Sequence, residues 1–169
     1  MAEHEIDPDL LLAHSFALVG WQFVETNIFF IFAHLIRSHN GRAMSAAYHS
    51  VINLNTRLDM IDSAAHVILA GKPLLDEWNR LLKRIKERAS RRNDLAHFGL
   101  SMLSETSDTP GKTILISSIF DTREDKPREY DIKQIREISH SFSALKTDLD
   151  AFLEKLSKVA PSPSPDIFP

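Results

Sequence analysis

The most basic stretch of this 169-residue chain runs from Arg80 to Arg92. It holds Arg80, Lys83, Arg84, Lys86, Arg88, Arg91 and Arg92 against one acid, Glu87, and leads directly into Asn93-Asp94-Leu95-Ala96-His97. An arginine is a permanently charged planar fork that matches phosphate oxygens, and a histidine, with an ordinary pKa of about 6.5, gives or takes a proton near neutrality. Arg92 and His97 are therefore residue types suited to phosphoester chemistry: one steadies charge at phosphorus, the other moves a proton. Asn93 could orient His97 or donate to a phosphate. The competing reading of a charge run is a solvated helix face.

Position sharpens the choice. On an ideal wheel, Trp78, Leu82, Ile85, Ala89 and Ala96 fall within about 40° of one line, which predicts a buried stripe. Arg92 falls about −40° from Trp78 and Asn93 about +60°, so both interrupt that stripe, and His97 follows one turn after Asn93 at its edge. A charge on a buried stripe needs a partner, or a cleft lined by a ligand or a second subunit. Two readings stay open on geometry alone. Either Arg92 is held by a carboxylate such as Glu25 while His97 caps the helix end, or the three polar groups converge on a cleft.

The six residues Arg92-Asn93-Asp94-Leu95-Ala96-His97 resemble the signature of the HEPN superfamily, an Arg followed four to six residues later by a His, with a polar residue, often Asn, directly after the Arg. Arg91 also satisfies the spacing, but only Arg92 has Asn93 beside it. The likeness in architecture covers roughly residues 8–159. It implies a metal-independent endoribonuclease acting as a homodimer, each motif facing the other across a cleft, with Arg92, Asn93 and His97 catalytic and no cofactor or metal. RNA is the implied partner, joined by a possible neutralising protein of the toxin–antitoxin or defence kind. Lys83, Arg84, Arg88 and Arg91 are the expected RNA contacts, and Glu25 a supporting residue. HEPN-like domains without nuclease activity supply the alternative: a module that binds RNA, a nucleotide or a protein.

Elements that must position these groups can be read from periodicity. A first helix is expected from about Pro8 to Ser38, with Asp7 as its cap, and a second from about Arg42 to Ala70 on an unbroken three–four apolar spacing, closed by Gly71. A third runs from about Pro73 to Phe98 and carries the motif; a fourth runs from about Asp131 to Val159. Between them the β-branched run Thr113–Phe120 predicts a strand, paired with Leu100–Leu103 across a loop that holds Pro110-Gly111. Thr122 to Glu129 reads as a charged loop. The fold class is thus mainly all-α: a four-helix bundle with a small β-hairpin between helices three and four, one domain over residues 1–159, then a loose Pro/Ser-rich tail, 160–169.

Composition removes several classes. There is no Cys, hence no disulfide, thiolate zinc site or thiol nucleophile, and the five Gly form no phosphate-cradling loop. A net charge of −3 argues against a protein that coats polyanions over its whole surface. His14, His34, His49, His66 and His140 show no paired ligand spacing and read as polar or core-edge positions. The stretch from Phe16 to Ile36 is apolar enough to suggest a membrane span, but Gln22, Glu25, Thr26 and Asn27 interrupt it, so a central bundle helix is expected and no membrane. The acidic start MAEHEIDPD lacks a basic secretory n-region, which points to the cytoplasm.

Overall fold

Asp7 opens the first helix. Its Oδ1 accepts from the amide of Asp9 at 2.9 Å, and Pro8 takes the first helical position, where a missing N–H costs nothing. In the computed structural model, which describes residues 7–38, 40–103, 112–117 and 128–159, this helix is α1 (Pro8–Ile36). There follow α2 (Gly41–Ser50), α3 (Leu54–Ile68), α4 (Pro73–His97), β1 (Gly99–Leu103), β2 (Lys112–Ile116), β3 (Glu129–Tyr130) and α5 (Ile132–Val159). The chain is mainly α, with one small antiparallel sheet.

The helix expected over 42–70 is two helices. Val51 adopts extended backbone (φ −83°, ψ 106°), and Asn53 caps α3 by accepting from the amides of Asn55 and Thr56 at 2.8 and 3.3 Å. An Asn side chain at this point offers the backbone an alternative to helix, and the β-branched pair Val51-Ile52 leaves the helix readily. Arg57 Nε donates to the carbonyl of Val51, which the break would otherwise leave unpaired. Among the described residues the four expected helices thus become five.

The hairpin forms with β1 antiparallel to β2, Leu100 opposite Leu115 and Ser101 opposite Ile114. A further strand joins it: β3 pairs with β2, Leu115 opposite Tyr130, so the order is β1-β2-β3 and the charged loop ends in a strand. The end of the expected strand at 118–120, the loop from 104 to 111, most of the charged loop and the tail 160–169 lie outside the described residues. Asp131 and Gln134 start α5 with a reciprocal box: Gln134 N donates to Asp131 Oδ1 (2.9 Å), and Asp131 N to Gln134 Oε1 (2.8 Å).

Contacts divide the chain into two compact units. The first comprises residues up to Gln22 and from Arg88 to Ser143. Its core joins Leu10, Ala13, Ala17 and Trp21 of α1 to Leu95, Ile114, Leu115, Tyr130, Ile135 and Phe142, and Trp21 meets Phe142 edge to face, centroids 5.1 Å apart. The second comprises Phe23–Glu87 and the chain from Ala144 onward. Here Ile28, Ile31, Leu58, Ile61, Trp78, Leu149 and Phe152 are fully buried. Trp78 Nε1 donates to Asp62 Oδ1 at 2.9 Å, and buried Asn27 donates through Nδ2 to Asp150 Oδ1 at 2.8 Å. Among the described residues α1 is the one helix long and apolar enough to cross a membrane; 44% of its most apolar window is buried by the rest of the chain.

Candidate active site

Along α4 the buried row is Leu74, Trp78, Leu81, Ile85 and Ala89. Beyond Ala89 the buried side turns, and the next buried residues are Asp94 and Leu95, whereas Asn93, Ala96 and His97 are exposed and Arg92 is half-buried. This corrects the wheel, which carried the stripe straight on through Asn93 and Ala96. The physical reason lies in what packs on the helix end. His14 of α1 donates through Nε2 to the carbonyl of Leu95 at 2.7 Å, and Tyr130 of β3 donates to Asp94 Oδ2 at 2.6 Å. Both partners cover the Asp94–Leu95 side and leave the opposite side to solvent.

Arg92 Nη1 donates to Asn93 Oδ1 at 3.2 Å, so two of the three motif residues touch. His97 occupies the last position of α4 and is exposed. The turn that carries it is held from below. Asp94, 5% exposed, accepts at Oδ2 from Arg128 Nη1 (2.6 Å) as well as from Tyr130. Arg91 Nη1 donates to the same Tyr130 hydroxyl at 2.8 Å, Tyr130 stacks on Phe98 with centroids 5.4 Å apart, and Arg128 lies 5.3 Å from the Phe98 ring centre. Burial first, then the bond to the Asp94 carboxylate, pushes the Tyr130 phenol above its ordinary pKa of 10.0, while the Arg91 bond works the other way. Tyr130 therefore stays a neutral donor to Asp94 across the physiological range.

Sequence reasoning missed Asp94, Phe98, Arg128 and Tyr130 as a set. Asp94 sits inside the motif, but its burial comes from a two-residue strand with no readable period. The capping box at Asp131–Gln134 was the available signal, because it places Tyr130 at the mouth of a helix.

Three of the expected RNA contacts are engaged within the chain. Arg84 Nη2 bonds to Asp148 of α5, Arg88 Nε to the carbonyl of Ser141 at 3.2 Å, and Arg91 to Tyr130. Lys86 pairs with Asp59 of α3 at 3.1 Å. Lys83 is exposed. In the second unit a cleft is lined by Glu77, Arg80, Leu81, Arg84, Asp148 and Lys155, crossed by the Lys155–Glu77 and Arg84–Asp148 pairs. Glu25, half-buried, lies in the second unit within electrostatic reach of Tyr48, over whose ring Arg57 sits at 4.9 Å. Among the described residues no three His, Asp or Glu side chains group closely enough to hold a metal ion.

Comparison with family models, with curated proteins and with solved structures finds no match to this chain.

Proposed function

We propose that the chain is a metal-independent endoribonuclease of the HEPN type, cytoplasmic and active as a homodimer, with Arg92, Asn93 and His97 as its reacting groups. The observation that carries this reading is the exposure of Asn93 and His97, beside Arg92, on a helix end whose other side is locked by buried Asp94. A solvated helix face would not need a buried carboxylate, an arginine and a tyrosine beneath it.

The chemistry follows from the side chains. A neutral imidazole removes the proton of a ribose 2′-hydroxyl, and the 2′-oxygen attacks the adjacent phosphorus. The bond from phosphorus to the 5′-oxygen breaks, and an imidazolium gives that oxygen its proton. The products are a 2′,3′-cyclic phosphate and a 5′-hydroxyl. Arg92 neutralises the charge that builds on the phosphorane oxygens. Asn93, bonded to Arg92, holds the guanidinium and donates through its amide to the phosphate. One chain supplies one His97, so a second copy supplies the other imidazole.

The decisive experiment is cleavage of single-stranded RNA in EDTA by the wild type, His97→Ala and Arg92→Ala, with helical circular dichroism as the folding control. Cutting that survives intact in either variant sinks the assignment. A second reading, a non-catalytic HEPN-like module, is favoured by the internal ties of Arg84, Arg88 and Arg91, which narrow the cationic surface left for RNA. RNA binding without cleavage under the same conditions would select it.

A further inference from the structure

We infer that the row Leu12, Phe16, Val19 and Phe23 on α1 is the surface on which a second copy of this chain docks, the two α1 helices running antiparallel. Each of the four is more than half exposed, on a helix whose other side buries Leu10, Ala13, Ala17 and Trp21. The inference deepens the proposed function by naming the surface through which copies meet. It rests on that reading only for the expectation that the chain pairs.

Spacing identifies the occupant. The steps 12–16–19–23 are four, three and four residues, the seam of a helix packed nearly parallel or antiparallel to another. The same steps read identically from either end. A two-fold axis between Phe16 and Val19 therefore lays Leu12 opposite Phe23 of the second copy, and Phe16 opposite Val19 of the second copy. A larger ring meets a smaller side chain at every level, which is how facing layers interdigitate. Antiparallel pairing also sets the N-terminal half of each dipole beside the C-terminal half of the other.

Charge and area agree with this. Helix α1 contains no Lys or Arg; its charged residues are Asp9 and Glu25. A helix that lies on an anionic lipid surface, or along nucleic acid, carries Lys or Arg on its polar face, and α1 carries neither. An uncharged row that complements itself fits a like row. Its exposed area is on the order of 400 Å², the size at which an apolar patch marks an interaction surface. That is about half of the ~800 Å² per partner in a stable interface, enough for its apolar core. Exposed Ser15, Gln22 and Thr26 supply a polar rim.

The absence of Cys makes the test clean, since introduced cysteines are unique. Light scattering should give a dimeric mass for the full chain and a monomeric mass for Phe16→Asp, with equal helical circular dichroism. A mixture of Leu12→Cys and Phe23→Cys chains should form a disulfide-linked dimer on mild oxidation, and neither chain alone should. Like positions would lie about 16 Å apart along the axis, beyond the ~7 Å reach of a disulfide. A monomeric wild type, a dimeric Phe16→Asp, or self-linking of either cysteine variant overturns the inference. So does a wild-type monomer that dimerises once residues 160–169 are removed, which would make the tail the occupant. A chain that pairs and links as expected but cuts no RNA supports the docking surface and overturns the nuclease reading, so the two failures are distinct.

Discussion

Two adjacent stretches of one helix use their polar residues in opposite ways. From Arg84 to Arg91, the cations that make the sequence conspicuous are tied to partners within the chain: Arg84 to Asp148, Lys86 to Asp59, Arg88 to the Ser141 carbonyl, Arg91 to Tyr130. From Arg92 to His97 the charge density falls, yet Asn93 and His97 stand exposed while Asp94 goes under. The first stretch fastens α4 to its neighbours. The second presents groups to solvent from a fixed base. Density of charge is thus a poor guide to which polar groups of α4 are left to solvent.

The comparison breaks first at His97. If this stretch is the reacting one, His97→Ala should lower RNA cleavage by about 10²–10⁴-fold, the usual worth of a positioned acid–base group. Thermal unfolding should change little, because the side chain is exposed. Quantifying 2′,3′-cyclic phosphate ends checks the first half, and a melting curve the second. A variant that loses activity only in step with its stability would place His97 among the structural residues.

Asp94 should behave in the reverse order. Asp94→Ala leaves the Tyr130 hydroxyl without its acceptor and Arg128 without its carboxylate, an expected loss of about 2–3 kcal/mol. The figure sits at the low end for a buried pair because Arg128 is partly exposed. Chemical denaturation reads it directly. Tyr130→Phe removes two hydrogen bonds, the one to Asp94 and the one from Arg91, and should lose about 2 kcal/mol. A cost near zero for Asp94→Ala would mean that the helix end is not held from this side.

How much of this could be read beforehand depends on whether a signal is local. Helix starts at Pro8 and Pro73 and the α5 start after Asp131 were legible because proline and capping side chains act on their own backbone within three residues. The break at Val51–Asn53 was not, since the apolar seam from Met44 to Ile68 keeps its spacing across it and hides the cap inside the pattern. The motif was legible as residue types. Its orientation was not, because Asp94 rather than Asn93 is buried only once His14 and Tyr130, 80 residues before and 36 after, close on that side of α4. Lys83 and Arg84 are neighbours in sequence, and only a partner on α5 tells them apart.

That pair supplies the next test. Arg84→Ala should cost no more than about 1 kcal/mol, as partly exposed ion pairs do, and should leave RNA affinity little changed. Lys83→Ala should leave stability untouched and, if RNA runs along this face, weaken binding and lower the slope of log affinity against log salt by about 1. Equal salt slopes for the two variants would erase the distinction between tied and exposed cations.

The smallest effect at neutral pH belongs to the two tyrosines, which carry the same contrast into the second unit. Burial pushes Tyr48 up to about 12, with the charge of Glu25 adding to the rise and Arg57 opposing it. Tyr130 is raised as well, by burial and by Asp94. A phenol whose folded pKa exceeds its unfolded value of 10.0 contributes stability that is complete below pH 10 and is lost as pH climbs through the folded pKa. These are the only tyrosines in the chain, so tyrosinate absorbance should show little ionisation at pH 10 while the fold persists. Tyr48→Phe should remove the step near pH 12 and leave that of Tyr130. Arg57→Gln should delay the Tyr48 step further, because it removes the charge that favours the phenolate; an earlier step would show that Arg57 acts by keeping water away from the ring rather than by its charge.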